Sequence, residues 1–168
     1  MLLPKTLKII LKKYNLGDPD SWKTAQTQAD KTNKELEEVL INENIVNENT
    51  LYEKAADYLQ VPYISLKGKE IKKEVLNLIP GPVAGTHQVV AFDTDKNEVK
   101  LAMTDPTDIQ TIEFLRRKTG LEPKVYITSP GDLKEAMRRY HAELEADLHI
   151  TQDTGGDKDD GDLKKAAE

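Results

Sequence analysis

The hydrophobic pattern predicts an α+β fold: an N-terminal helical subdomain, then a small α/β subdomain with about four strands. Three observations carry this. Apolar residues recur at three- and four-residue spacing up to residue 60. From Val61 onward the runs become short, β-branched and alternating. The polar stretch Asp93–Asn97 separates two such runs at the distance of a β-hairpin turn. The subdomains are expected at residues 1–60 and 61–142, with 143–168 an acidic linker or tail that is disordered.

In chain order, Leu3, Leu7, Ile10, Leu11 and Tyr14 share one helical face, with Lys5, Lys8, Lys12 and Lys13 largely opposite. Pro4 suits a first turn, and Asn15–Gly17 ends this helix. A second helix starts at Ser21 or Asp20 as cap and packs through Trp22, Ala25 and Ala29. A third covers Glu35–Asn42, burying Leu36, Val39 and Leu40, with Asn44 as left-handed terminator. Asn47 caps a fourth, which runs to Leu59 with Leu51, Ala55, Tyr58 and Leu59 inward. Val61–Leu66 is strand-like, Glu70–Leu78 a short helix broken by Pro80-Gly81-Pro82, and Gln88–Phe92 with Glu98–Met103 the hairpin. Asp105-Pro106-Thr107-Asp108 opens a helix that Gly120 closes. Lys124–Thr128 is a further strand and Pro130–His141 the last helix. No internal repeat is evident.

Charge is unevenly placed. From Glu143 to Glu168 there are nine acids and three bases, which accounts for the whole chain's net −6. Residues 1–142 are neutral, with 21 of each sign. A neutral body and an acidic end argue against nucleic acid as partner, because phosphate binding needs a basic footprint. No cysteine occurs, so disulfides, zinc–thiolate sites and cysteine nucleophiles are excluded. The longest apolar stretches, such as Ile9–Leu11 and Val89–Phe92, are too short to cross a bilayer, and the first residues lack the long apolar core and small-residue cleavage site of a signal peptide, so none is expected. A cytoplasmic protein is expected.

Catalytic chemistry finds little support. Gly17-Asp18-Pro19-Asp20-Ser21-Trp22-Lys23-Thr24 nearly fits a P-loop, but Trp22 stands where a glycine must let backbone N–H groups wrap phosphate, and no strand precedes it. His87, His141 and His149 lie apart and lack metal-ligand spacing, so no metal or cofactor is expected. Helix capping accounts for Asp105 and Asp108. The acids at Asp157–Asp162 lack the ligand order of a calcium loop. The basic first helix is the most informative surface. It is open to three readings: packing on the next helices, docking on a protein partner through Leu3, Leu7, Ile10, Leu11 and Tyr14, or lying on an anionic membrane.

The order of segments resembles a known family. Leu36-Glu37-Glu38-Val39-Leu40-Ile41, Ile45-Val46, Leu51–Leu59 and Val61-Pro62-Tyr63-Ile64-Ser65-Leu66 are similar to the N-terminal domain of type II secretion and type IV pilus assembly ATPases. So are Leu78-Ile79-Pro80, Leu101–Asp108, Lys118-Thr119-Gly120 and the helix to Tyr140. The resemblance implies a non-enzymatic docking and regulatory domain that precedes a hexameric ATPase core. Its implied partners are that core and the cytoplasmic domain of an inner-membrane platform protein, which would hold it at the membrane periphery. Some members of the family bind cyclic di-GMP through paired segments beginning Arg-Leu-Gly, with a later Gly and a Gln. Here Glu35-Leu36-Glu37, Asn44 and Tyr58 stand at those places, and Asn15-Leu16-Gly17 with Thr24 reads as a fragment of an earlier copy. A cyclic di-GMP sensor is therefore the alternative function, with most of the gripping residues replaced.

Overall fold

The computed structural model describes residues 1–153. Its chain opens with two consecutive helix pairs. Helices α1 (Pro4–Lys13) and α2 (Pro19–Thr32) form the first, α3 (Leu36–Asn42) and α4 (Glu48–Leu59) the second. These pairs are copies of one unit, an internal repeat that the sequence reading misses. Asp18 caps α2 by accepting from Ser21 N, and Asn47, 29 residues on, caps α4 by accepting from Thr50 N. Asn15 (φ 50°) and Asn44 (φ 55°) both take the left-handed conformation. Leu16 N bonds to Leu11 O at 3.0 Å, and Ile45 N to Leu40 O at 2.9 Å. Between residues 6–22 and 35–51 only Leu7/Leu36, Leu11/Leu40 and Asn15/Asn44 are identical, so the repeat survives as caps and core positions rather than letters. The α2 cap is Asp18, upstream of the expected Ser21 or Asp20, because Pro19 fits the first helical position and fixes the start there.

The α/β part holds α5 (Lys73–Leu76), α6 (Gly81–His87), β1 (Val89–Thr94), β2 (Glu98–Met103), α7 (Ile109–Thr119), β3 (Glu122–Ile127) and α8 (Pro130–Asp153). The sheet order is β1-β2-β3. β1 and β2 are the expected antiparallel hairpin, with an irregularity between Ala91 and Asp93. β2 and β3 are parallel, which requires the α7 crossover. Asp108 caps α7 by accepting from Thr111 N, and Gly120 (φ 68°) closes it. The expected strand at Val61–Leu66 reduces to a single bridge between Tyr63 and Ile127, so three strands form among the described residues. Pro62 has no N–H to extend a ladder, and its carbonyl instead accepts from Ile127 N at 2.9 Å. The Pro80-Gly81-Pro82 break opens a helix of its own, since proline is tolerated in a first turn. The last helix passes His141 and reaches Asp153, as no glycine or proline follows Gly131 before that point. Residues 154–168, where most of the acidic tail was expected, lie outside the described residues.

The described residues divide into two units, Met1–Ala136 and the stretch that begins at Met137. Within the first, both helix pairs and the end of β3 share one core. Leu7, Ile10, Leu11, Val39, Leu40, Leu51, Tyr52 and Ala55 cluster with Ile127, all buried. Polar ties run alongside. The Asp132 carboxylate accepts from Ser65 Oγ at 2.6 Å and Leu66 N at 2.9 Å, and Glu48 accepts from Gly131 N at 2.9 Å. In the second unit, the Tyr140 and His141 rings lie 5.8 Å apart. Among the described residues, no helix is long and apolar enough to cross a membrane.

Candidate functional site

The basic face of α1 and the start of α2 border a hollow of about 500 Å³. Leu11, Trp22 and Leu36 give it an apolar lining, and exposed Lys8, Lys12 and Lys23 stand around it. The chain positions each of these locally. Trp22 lies one turn into α2, and its indole Nε1 donates to Leu16 O at 2.8 Å, which fixes the ring against the turn between the helices. Leu36 comes from the first turn of α3, so the hollow sits where the two repeats meet.

Charge is distributed sharply here. Helix α1 has Lys5, Lys8, Lys12 and Lys13 and no acid. Among the described residues, Lys8, Lys12 and Lys23 have no carboxylate partner, as is also true of Lys31, Lys67, Lys96 and Arg117, whereas Lys34, Lys54, Lys100, Arg116 and Lys124 are paired; what marks this face is the grouping of its lysines beside an apolar hollow. Lys13 turns away onto aromatic faces, 5.4 Å from the Tyr14 ring centre and 5.3 Å from that of Tyr58. The nearest acids along α2 are Asp18, which caps Ser21, and Asp20 in the first turn.

Of the five residues expected to dock, Leu7, Ile10 and Leu11 are buried in the core, with Leu11 also reaching the wall of the hollow. Tyr14 is half-buried against that core, and Leu3 alone is exposed, at 52%. The stripe is therefore a packing face, and the correction has a simple cause: burying these side chains against α4 removes more apolar surface from water than a lone helix can. What α1 offers to solvent is its lysine side.

The near P-loop is closed. Gly17 has φ +81°, and a Cβ there would come within 3.0 Å of Trp22 Nε1 and 3.1 Å of Ile45 Cγ2. The indole packs directly against the turn. The family-motif positions are likewise altered. The repeat pairs Glu35-Leu36-Glu37 with Thr6-Leu7-Lys8, so the earlier copy begins there and not at Asn15-Leu16-Gly17. Glu37 is buried, its carboxylate accepting from Leu2 N at 2.9 Å and from the Tyr52 hydroxyl. Burial pushes the Glu37 carboxyl above its ordinary range, against the pull of those two hydrogen bonds. Asn44 is the left-handed residue expected, and Tyr58 is half-buried beneath Lys13. At the α6–α7 junction His87 Nδ1 lies 3.3 Å from Asp108 Oδ2. Burial raises the Asp108 carboxyl, but the Thr111 and His87 hydrogen bonds outweigh it and leave it below the usual carboxylate range. Among the described residues no three histidines or carboxylates converge as a metal site would need.

Two helix pairs lead into a three-stranded α/β unit, and Trp22 packs against the turn that nearly fits a P-loop. The MshEN domain model matches residues 59–147, more than half of the chain, and the chain belongs to that family. It is 28% identical over 149 residues to the type IV pilus assembly ATPase PilB of Myxococcus xanthus, covering 88% of this chain and 26% of that protein. It is 26% identical over 111 residues to PilB of Thermus thermophilus, covering 65% and 12%. The chain thus spans about a quarter or less of the curated relatives it matches. Among solved structures, MshE with cdg superposes with a TM-score of 0.62 at 21% identity, over 80% of this chain and 97% of that one. The N-terminal domain of XpsE gives 0.57 at 16% identity, over 83% and 98%. The chain is related to the N-terminal domains of type II secretion and type IV pilus assembly ATPases, and not to their catalytic core.

Proposed function

We propose that this chain is a docking and regulatory domain of a type II secretion or type IV pilus assembly ATPase, binding the cytoplasmic domain of an inner-membrane platform protein. In that role it works in the cytoplasm, held at the membrane periphery by its partner and joined to its own ATPase core in the longer protein. The observation that carries this reading is the solvent side of α1. Its lysines stand together on an exposed face of a helix that has no acid, and Lys8 and Lys12 have no carboxylate partner among the described residues. Unpaired like charge on one face stabilises nothing internally and serves to steer an oppositely charged partner. Calorimetric titration with the purified cytoplasmic domain of the platform protein from the same assembly system is the test. A dissociation constant of about 1 μM, equivalent to about −8 kcal/mol, is the expected scale. No heat of binding at partner concentrations of about 100 μM contradicts the docking reading.

A second reading is a cyclic di-GMP sensor, favoured by the likeness in fold to MshE, whose structure was solved with cdg. Against it stand Thr6 and Glu35 where arginines would grip phosphate, and the bulky Lys8 and Glu37 in place of glycines. Glu37 adds a buried carboxyl group on the spot. A dissociation constant for cyclic di-GMP below about 10 μM would restore this reading.

A further inference from the structure

We propose that the hollow between α1 and α2 seats an acidic amphipathic helix of the protein partner; this rests on the docking reading above. The hollow has the two features such a ligand needs. Its wall is apolar, built from Leu11, Trp22 and Leu36, and its volume of about 500 Å³ takes anchoring side chains. Its edge carries Lys8, Lys12 and Lys23, none with a carboxylate partner among the described residues. An amphipathic helix laid between two helices places apolar anchors at i, i+3, i+4 and i+7 inward and its flanking positions over the edges, where acids meet the lysines. Trp22 suits the anchor pocket, since a half-buried tryptophan held by its indole hydrogen bond loses little freedom when covered.

Charge complementarity decides the class of occupant. A lipid surface wants a convex apolar ridge, but the apolar stripe of α1 faces the core and leaves only Leu3 (52% exposed) and Ile9 (46%) as isolated contacts on that helix. Nucleic acid wants a basic footprint, and residues 1–142 are neutral overall. An acidic helix needs only the local lysine edge and the hollow beside it.

The test uses the full chain and the platform's cytoplasmic domain. Lys8→Glu, Lys12→Glu and Lys23→Glu are combined, with Lys→Gln at the same positions as the milder variant, and thermal melts confirm that both stay folded. Affinity is expected to fall about ten-fold or more for the glutamate variant and less for the glutamine one. The salt dependence of binding should flatten in both. The single tryptophan, Trp22, should shift its emission to shorter wavelength on binding by the unaltered chain. Unchanged affinity and salt slope in both variants overturn the groove while leaving the docking reading intact. Absence of any binding by the unaltered chain removes both. Lysine-dependent binding to phosphatidylglycerol vesicles, or to cyclic di-GMP, with platform binding unaffected, assigns the lysines to a membrane or a small anion and also overturns the proposal.

Discussion

Ile9 and Ile10 are adjacent, identical in chemistry and opposite in environment: Ile9 is 46% exposed and Ile10 is fully buried, at 0%. Replacing each by alanine separates the two faces of α1. Ile10→Ala deletes branched aliphatic volume from a close-packed cluster that includes Leu11, Leu40 and Leu51, which typically costs about 2–5 kcal/mol through lost transfer energy and an incompletely relaxed cavity. At about 2–4 °C per kcal/mol for a chain of this size, a loss of about 3 kcal/mol lowers the melting temperature by about 6–12 °C. Ile9→Ala removes exposed surface and gains helix propensity, so it stays within about 0.5 kcal/mol of the parent. Urea denaturation followed by Trp22 fluorescence reports both, because Trp22 packs against the same cluster. Equal costs for the two substitutions, or an Ile10→Ala cost below about 0.5 kcal/mol, would refute the assignment of the stripe to the core.

Three other outcomes are expected. Asp18→Ala and Asn47→Ala each remove the equivalent cap of one repeat and should each cost about 1 kcal/mol in denaturant titrations; a large cost for one alone contradicts the equivalence. Gly17→Ala meets both a left-handed backbone and the Trp22 indole at 3.0 Å, so it should destabilise by more than about 1 kcal/mol and alter the tryptophan emission; a neutral result contradicts the packing of the indole against the turn. Because burial raises the Glu37 carboxyl, the native state holds its proton more tightly than the unfolded chain. The stability this gives is complete below the ordinary value of 4.5 and is lost as pH rises through the folded value. The stability advantage of the parent over Glu37→Gln should therefore narrow between pH 4.5 and neutrality, and a widening would show that the carboxylate is favoured.

The helices of the N-terminal region were legible because caps and terminators announce themselves locally: Asn44, Asn47 and Gly120 behave as their chemistry demands. The hairpin was legible for the same reason. The repeat was not, since it is written in buried leucines and cap geometry shared by many helix pairs. Val61–Leu66 has strand composition but lies beside β3 through one bridge, and pairing is a tertiary fact that composition does not carry. The helix at Gly81–His87 was hidden because Pro80 and Pro82 read equally as a break or as a first turn. At the site, the five apolar residues of α1 were visible as a stripe, but periodicity reports that a face is apolar and not what covers it. The hollow itself depends on Leu36 approaching α1 and α2 from another repeat, a contact between segments that no local pattern encodes. The lysines around it were visible; that they lack carboxylate partners emerges only from three-dimensional placement.

Amide hydrogen exchange of the chain, alone and saturated with the platform's cytoplasmic domain, tests the docking account most directly. Slowed exchange is expected in α1 and the first turns of α2, around Lys8, Lys12, Trp22 and Lys23, with the sheet unchanged. Protection confined to other surfaces, or none at saturating partner, would contradict it.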